Sequence, residues 1–255
     1  MRKTAILLSI VLLISAFTVI GGGSSGGSGG AAAGTLQFYA NGEDFVREGF
    51  VSKDGWSITF DHVYITLSDI TAYQTDPAYD AHSDGAIAGN VEVALSGIHT
   101  IDLAAGDEDA DPILVGNVHN VATGHYNSIY WKMAQATSGP SAGYSLVMIG
   151  TAEKDGETVD FSIKFDSVCE YSCGEYVGDE RKGIVSAGGS ADLEMTFHFD
   201  HLFGDIETPA DDELNLGAPG FEALLAMQAG GDPGMNMADL HLGHVGEGHC
   251  HCECD

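Results

Sequence analysis

Apolar side chains alternate with polar ones over most of the chain, and this period of two constrains the fold more than any other feature. The stretch SITFDHVYITLSDI places Ile58 and Phe60 on one face, and Val63, Ile65 and Leu67 continue the alternation. Strand side chains point alternately to opposite faces, so this repeat indicates β-strands with one buried face. The alternation slips by one residue between Phe60 and Val63, which predicts a β-bulge there.

The same alternation recurs in four later segments. They read VEVALSGIHTIDL, HYNSIYWKM, YSLVMIGTAEKDGETVDFSIKF and ADLEMTFHFD, and the third carries a hairpin signal at Asp155-Gly156. We count roughly seven to nine short strands between Thr35 and Asp205, with no helical period of useful length. This pattern is typical of an antiparallel β-sandwich or barrel, and we assign residues 35–205 to one such domain.

The charge balance narrows the classes of partner. There are 9 Lys and Arg against 38 Asp and Glu, which gives a formal net charge of −29. Nucleic acid and anionic lipid surfaces bind proteins through basic patches, so neither is an expected partner of this chain. A strongly acidic chain instead attracts cations or basic proteins, although the same charge also serves solubility alone. Both interpretations stay open at this point.

Residues 1–20 have the pattern of an export signal. Arg2 and Lys3 precede an apolar run from Ala5 to Ile20. This run is shorter than the stretch of about 20 apolar residues that usually spans a bilayer. Residues 21–34, GGGSSGGSGGAAAG, follow as a flexible linker. We expect an exported protein, periplasmic, cell-surface or extracellular, that touches a membrane only through an N-terminal segment, which is either cleaved or kept as an anchor.

Residues 206–248 lose the strand period and favour short helices. In ETPADDELNL, Thr208 is a candidate N-cap, with Pro209 at the first helical position and acidic residues in the first turn. The segment PGFEALLAMQAGG predicts a second helix that ends at Gly230-Gly231. We expect these elements to form a small helical C-terminal extension that packs on the β domain.

The densest set of metal-ligand side chains lies in HLGHVGEGHCHCECD. Thiolates and imidazoles are ligands that zinc and copper(I) prefer, whereas magnesium and calcium prefer oxygen. The spacing of the cysteines is not the Cys-x-x-Cys of a zinc ribbon, so it does not indicate a tetrahedral structural site. We predict instead that residues 249–255 form a tail that wraps around a thiophilic ion. The candidate ligands in this segment are His241, His244, His249, Cys250, His251, Cys252 and Cys254.

A second cluster lies in FHFDHLFGD, at the last predicted strand. If Phe197 and Phe199 face inward, His198 and Asp200 share the opposite face with their Cβ atoms about 7 Å apart. His201 follows directly. All three polar residues are candidate ligands, and they join the tail in one site if the extension folds back on this strand. The alternative, a solvated strand face that happens to be polar, stays open.

The odd number of cysteines leaves at least one thiol unpaired in an exported protein. A bridge within CEYSC, between Cys169 and Cys173, leaves three thiols in the tail. A bridge from the tail to the same loop instead fastens the tail to the β domain. Free thiols exposed outside the cell oxidise unless a metal or a disulfide protects them. The sequence leaves these pairings open.

Three segments carry a resemblance to known families. In this order, VYITLSDITAY, IHTIDLAAG and VATGHYNSIYWKM resemble exported prealbumin-like β-sandwich lipoproteins of unknown function and periplasmic copper-binding proteins linked to methanobactin uptake. The resemblance covers residues 55–200. It implies export and a mainly β fold, an antiparallel β-sandwich of the Ig/prealbumin-like class. It transfers no ligand residue to this chain.

Together these features predict an exported protein that binds zinc or copper for capture, storage or hand-over, with a membrane transporter or receptor as the recipient. The chain lacks GxSxG, HExxH and phosphate-binding glycine-loop motifs, so we do not expect an enzyme. Two alternatives stay open. One is a structural or adhesive surface module cross-linked through its cysteines, and the other is a hydrolase or redox enzyme with an open position on a bound metal.

Overall fold

A computed structural model describes residues 33–82, 85–107, 109–174, 182–230, 237–245 and 250–255. The predicted export signal at residues 1–20 lies outside this part of the chain, as does most of the predicted linker. Residues 33 and 34, which we assigned to the linker, belong to the first strand. No helix in the described residues is both long enough and apolar enough to cross a lipid bilayer.

The protein is mainly β, with 49% strand and 13% helix. The strands are β1 (Ala33–Asn41), β2 (Phe50–Val51), β3 (Ser57–Gln74), β4 (Val91–Ala94), β5 (Ile98–Asp102), β6 (Ile113–Ala122), β7 (Gly124–His125), β8 (Ser128–Met133), β9 (Leu146–Lys154), β10 (Glu157–Phe165), β11 (Cys169–Gly174), β12 (Ile184–Val185), β13 (Ser190–Phe197), β14 (Gly243–His244) and β15 (Cys250–Cys254). The helices are α1 (Asp44–Glu48), α2 (Asp200–Phe203), α3 (Glu213–Gly217), α4 (Phe221–Gln228) and a 3-10 helix (Met237–Leu240).

The strands form two larger sheets and one small one. The largest has the order β10-β9-β3-β8-β11-β15, and β2, β4 and β5 also pair with β3. A four-stranded sheet has the order β14-β13-β1-β6, and β12 pairs with β7. The strand pairs among the described residues are antiparallel, as predicted, except that β1 runs parallel to β13.

The period of two predicted the buried faces correctly. In β3, Ile58, Val63, Ile65 and Leu67 are fully buried. The register between β3 and β9 slips between Phe60 and His62, which confirms the predicted bulge. The extra residue restores the alternation, so apolar side chains on both sides of the slip face the same core.

The predicted hairpin is also confirmed. Strands β9 and β10 pair in register from Leu146–Phe165 to Lys154–Glu157. The two residues between them, Asp155 and Gly156, have φ of 54° and 85°. Two positive φ angles in a two-residue loop match the right-handed twist of the strands, and Asp-Gly accepts them readily.

Both larger sheets contribute side chains to one buried cluster. Leu36 and Phe38 come from β1, Leu193 from β13, and Trp131 and Met133 from β8. All five side chains are excluded from solvent. At about 1.5–3 kcal/mol for each large apolar side chain transferred from water, such a cluster is the main source of stability.

The helical extension docks on this core through a turn before β3. Asp54 accepts hydrogen bonds from the backbone N–H groups of Phe221 and Glu222, at 3.3 and 2.8 Å, and so caps the start of α4 from a distant part of the chain. The neighbouring Lys53 donates to the Asn215 carbonyl at 2.7 Å and to the Ala218 carbonyl. The extension is therefore fastened at two helix ends.

One detail of the extension differs from the sequence interpretation. Helix α4 lies where PGFEALLAMQAGG predicted it, but Thr208 is not the N-cap of α3. Asp212 holds that position, and its carboxylate accepts the N–H of Leu214 at 3.0 Å. Residues 209–212 form a turn, closed by the Asp212 N–H bonding the Pro209 carbonyl at 3.0 Å, and this turn delays the helix.

Candidate functional site

The predicted tail is an edge strand of the largest sheet. β15 pairs antiparallel with β11, so that Cys254 lies opposite Cys169 and Cys250 lies opposite Cys173. Both opposed pairs are disulfides. Cys169 and Cys173 are four residues apart in β11, and Cys250 and Cys254 are four residues apart in β15, so the two cysteines of each strand share one face. Pairing of the two strands therefore brings both bonded pairs together. Of the pairings that the sequence left open, the tail-to-loop bridge forms twice, and the bridge between Cys169 and Cys173 does not form.

This pairing corrects the predicted ligand set. A sulfur in a disulfide carries no negative charge, so Cys250 and Cys254 do not offer thiolates while the bridges are closed. All five cysteines lie in the described residues, and only Cys252 is free. The tail also does not wrap around an ion as a loose segment, because the sheet holds it in register.

The free thiol is shielded and neutral. Cys252 lies opposite Tyr171, whose hydroxyl donates to Sδ of Met133 at 3.6 Å. The pKa of the Cys252 thiol is raised to about 11, mainly by burial and also by the charge of Glu253, although the nearby Tyr171 hydroxyl lowers it. A thiolate therefore forms near neutral pH only where a cation balances its charge.

The extension folds back on β13, the last long strand. This fold-back is the condition under which we predicted that the tail and the cluster in FHFDHLFGD form one site. β14 pairs with β13, and the His198 N–H donates to the Leu242 carbonyl at 2.9 Å. Gly243 permits this approach, since a Cβ there would lie 2.7 Å from the buried ring of Tyr171 and 2.9 Å from that of Trp131. A glycine at this position brings the segment before β14 against the sheet.

This packing creates a cleft that we call the histidine cleft. Its volume is about 600 Å³. It is lined by one histidine from each of four separate segments: the turn after β3, helix α2, the position after the 3-10 helix, and β15. Cys252, which bears the free thiol, also lines this cleft. The lining residues are Ala81, His82, His201, Ala238, Asp239, His241, Cys250, His251 and Cys252.

Two of these rings are oriented by hydrogen bonds. Nδ1 of His201 lies 2.6 Å from the carbonyl oxygen of Leu240, which can only accept, so Nδ1 carries the proton. The lone pair of a neutral His201 therefore lies on Nε2, the arrangement by which proteins commonly prepare a histidine to bind a metal. In β15, Nε2 of His251 lies 3.3 Å from a carboxylate oxygen of Glu253. That contact makes Nδ1 the atom of His251 available to a metal.

His198 and Asp200 lie outside the lining of the cleft, and their predicted geometry is wrong. β13 ends at Phe197, and Phe199 has helical backbone angles of −80° and −12°, so Asp200 begins α2 instead of continuing the strand. Phe197 and Phe199 are both buried, as predicted. The rings of Phe197 and Phe199 stack with centroids 6.5 Å apart.

His198 has its own partner. Its Nδ1 lies 3.0 Å from a carboxylate oxygen of Glu43. Burial lowers the pKa of His198, but the hydrogen bond and charge of Glu43 outweigh it, so the pKa is raised overall. The pKa of Asp200 is raised mainly by burial, against the opposing charges of His201 and His198. The rings of His198 and His201 stack with centroids 5.7 Å apart, which links this pair to the wall of the cleft.

The donors in the cleft fit a borderline or soft cation in type. Imidazole nitrogen and thiol sulfur suit zinc and copper(I), and a carboxylate such as Asp239 is a third kind of zinc ligand. The donor atoms of these side chains do not surround one point. In the part of the chain that is described, only Cys169, Cys252 and Cys254 place three potential ligand atoms within 4.8 Å of one another. An ion bound by the histidines would therefore draw their side chains inward.

Two predicted ligands cannot be placed in the cleft. His249 lies outside the described residues. The backbone of His244 pairs with Thr196 in β14. Its side chain is outside the description.

Sequence reasoning missed one member of the cleft and one signal. His82 stands more than a hundred residues from the other donors, and no local pattern distinguishes it from other scattered histidines. The disulfide pairing did have a signal. The four-residue spacing of Cys169 and Cys173 equals that of Cys250 and Cys254, which is what two adjacent antiparallel strands require.

Comparisons with known proteins add no relative to this description. No family model matches the chain, and neither the curated proteins nor the solved structures include a significant match.

Proposed function

We propose that this protein is an exported transition-metal-binding protein that captures, stores or hands over zinc or copper(I), and that the histidine cleft is its binding site. The observation that carries the proposal is that four histidines and Cys252, the residue with the one free thiol, line a single cleft. His201, His241 and His251 are the principal ligands, with His82 and Cys252 as additional donors.

The chemistry of the cleft supports a cation as its occupant. The chain has a formal charge of −29, so it attracts cations over a long range. Nδ1 of His201 is held by a backbone carbonyl, which prepares the opposite nitrogen. The strand that bears His251 and Cys252 is fastened to β11 by two disulfides, so this wall of the cleft is held in place without the metal.

The remaining parts of the proposal concern location and architecture. Two intrachain disulfides suit an oxidising compartment, which supports export to the periplasm, cell surface or medium. We propose that residues 1–20 direct this export and that a membrane transporter or receptor receives the metal. We also propose that the two larger sheets form a sandwich of the Ig/prealbumin-like class, since their inner faces share one buried cluster.

Replacing two of the proposed principal ligands tests the site. The variant His201→Ala with His241→Ala, purified with its disulfides intact, should bind zinc and copper(I) at least about tenfold more weakly, because changes in metal-ligand shells typically cost 10–100-fold in affinity. Competition with a chromophoric chelator measures the affinity, and native mass spectrometry measures the stoichiometry.

His125→Ala is the matched control. His125 is an exposed histidine in β7 that does not line the cleft, so the variant loses an imidazole without losing a proposed ligand. Its affinity for both ions should equal that of the unaltered protein. Equal affinity in the double variant and the control would remove the histidine cleft as the metal site.

The cysteine pairing bears on the adhesive alternative. Four of the five cysteines are joined within the chain, so covalent cross-linking between copies has only Cys252 to use. That thiol is partly buried and its pKa is raised, both of which slow its reaction. A monomer on non-reducing electrophoresis is the expected result under the metal-binding proposal.

A further inference from the structure

Three sulfur atoms at the edge of the largest sheet lie unusually close together. Sγ of the free Cys252 is 3.8 Å from Sγ of Cys254. The sulfurs of Cys169, Cys252 and Cys254 all lie within 4.8 Å of one another. Two of them are joined by a disulfide, so in the oxidised protein this group cannot bind a metal as thiolates.

The spacing fits a metal–thiolate site. Zinc–sulfur bonds of about 2.3 Å in a tetrahedron place the sulfur atoms about 3.8 Å apart. Cys252 and Cys254 already have this separation. Opening the disulfide lets the third sulfur, on Cys169, move outward from bonding distance toward the same separation. Little backbone movement is needed, because all three residues belong to paired strands.

The site has an approach from solvent and a negative surrounding. A cleft of about 450 Å³ beside Cys252 and Cys254 is lined also by the acidic residues Glu170, Glu253 and Asp255. This cleft is separate from the histidine cleft, although Cys252 borders both. A cation entering here meets carboxylates before it meets sulfur.

The second disulfide keeps the arrangement intact when the first opens. Cys173–Cys250 joins the same two strands four residues away, so β15 stays fastened to β11 after the loss of the other bridge. The two disulfides thus have different roles. Cys173–Cys250 keeps β15 in register with β11, and Cys169–Cys254 keeps two potential ligands from binding a metal.

We propose that reduction of the Cys169–Cys254 disulfide creates a three-thiolate site for a soft cation, zinc or copper(I), formed by Cys169, Cys252 and Cys254. The reductant is a dithiol. It gives two electrons and two protons to the disulfide, which becomes two thiols, and is itself oxidised to a disulfide. Binding of the cation then releases the protons of the three thiols. This site goes beyond the proposed function, since it uses no histidine and stands whether or not the histidine cleft binds metal.

Two full-length double variants test the site with equal numbers of thiols. After reduction by dithiothreitol and anaerobic removal of the reductant, Cys173→Ser with Cys250→Ser retains the three proposed ligands. Cys169→Ser with Cys254→Ser also retains three thiols, on Cys173, Cys250 and Cys252, but that group is not among those with three ligand atoms within 4.8 Å in the described residues. Zinc affinity is measured by chelator competition, and cobalt(II) reports thiolate ligation through its near-ultraviolet charge-transfer absorption.

Reduction should raise the zinc affinity of the first variant at least about 100-fold, which is the largest effect typical of one change around a bound metal. The zinc affinity of the second variant should rise much less. Near-ultraviolet circular dichroism, to which the stacked rings of Trp131 and Tyr171 beside the site contribute, follows the fold. Equal affinities in the two reduced variants, or no rise in the first, overturn the proposal. The reduced first variant has neither bridge, so bound zinc must itself join β11 to β15 there; a loss of the folded signal that zinc does not restore overturns the proposal too.

A further comparison separates this site from the histidine cleft. His201→Ala with His241→Ala, added to the first variant, should leave the cobalt(II) thiolate charge-transfer absorption of the reduced form unchanged, although zinc binding at the histidine cleft is lost. If the oxidised unaltered protein binds no metal while the reduced first variant does, the proposed function fails and the thiolate site stands. The reverse result rejects the thiolate site alone.

Discussion

Removing both disulfides should lower the free energy of unfolding by about 7 kcal/mol, whereas removing either one alone should cost only about 3 kcal/mol. The single variants are Cys169→Ser with Cys254→Ser, and Cys173→Ser with Cys250→Ser. The full variant combines the four substitutions. The cost of the full variant therefore exceeds the sum of the two single costs.

The reason lies in the loops that the two bridges close. Their sequence separations are 85 and 77 residues, so each bridge alone closes nearly the same long loop, worth about 4.5 kcal/mol in lost entropy of the unfolded chain. Once that loop is closed, the other bridge closes only the small ring made of residues 169–173 and 250–254. A ring of about ten residues is worth about 2.7 kcal/mol. Either bridge alone thus retains the long loop, and only the full variant loses it.

Urea unfolding of the three variants and the unaltered protein, without reductant, measures these differences by linear extrapolation. The variant Cys252→Ser is the control, because it removes a cysteine without opening a bridge. Two single costs that add up to the cost of the full variant would contradict the nested-loop explanation.

Phe203→Ala should cost about 3–5 kcal/mol, the range for deleting a buried aromatic ring. Phe203 is fully buried in α2. Its ring lies 5.5, 5.9 and 6.4 Å from those of Phe50, Phe60 and Phe221, so it joins β2, β3 and α4. Because these neighbours belong to different elements, they cannot all collapse into the cavity that the substitution leaves.

Leu216→Ala is the matched control for this prediction. Leu216 lies in α3, the next helix along the chain after α2, and is 70% exposed, so its truncation should change stability by less than about 0.5 kcal/mol. Thermal or urea unfolding compares the two variants. Since α2 also bears His201, Phe203→Ala should weaken metal binding at the histidine cleft as well. A Phe203→Ala protein as stable as Leu216→Ala would show that α2 does not depend on this aromatic contact.

The strands could be predicted from the sequence because their signal is local. Ile65 and Leu67 of β3 face the core since every second residue of a strand faces one way, and the bulge before Val63 follows from the same count. The hairpin turn at Asp155-Gly156 is likewise written in two adjacent residues.

The errors arose where distant contacts override the local pattern. FHFDHLFGD continues the alternation of β13, yet the chain turns into α2 after Phe199, because Phe203 finds its partners on β2, β3 and α4. The parallel pairing of β1 with β13 depends on the path of the whole chain and has no signature in either strand. The N-cap at Asp212 displaced Thr208 through a short turn that propensity alone does not reveal.

The candidate site shows the same division. The donors in the tail were evident from composition, but His82 joins them only through folding, and the state of the cysteines depends on how two strands align. Three cysteines of the tail were predicted as metal ligands, with their pairing left open, and the alignment leaves one of them as a free thiol. Donor type was therefore predictable, while donor availability was not.

The equal spacing of the bridged cysteines also selects one alignment of β15 against its competitors. A slip of two residues keeps the same side chains facing inward, so hydrophobic patterning alone does not reject it. Such a slip sets Cys252 opposite Cys169 or Cys173 and permits a single bridge, because no second pair of cysteines then meets. The correct alignment leaves one free sulfhydryl and either misaligned form leaves three. Disulfide formation therefore favours the correct alignment of β15 at the edge of the sheet. The number of free sulfhydryls in the folded protein distinguishes this alignment from the shifted ones.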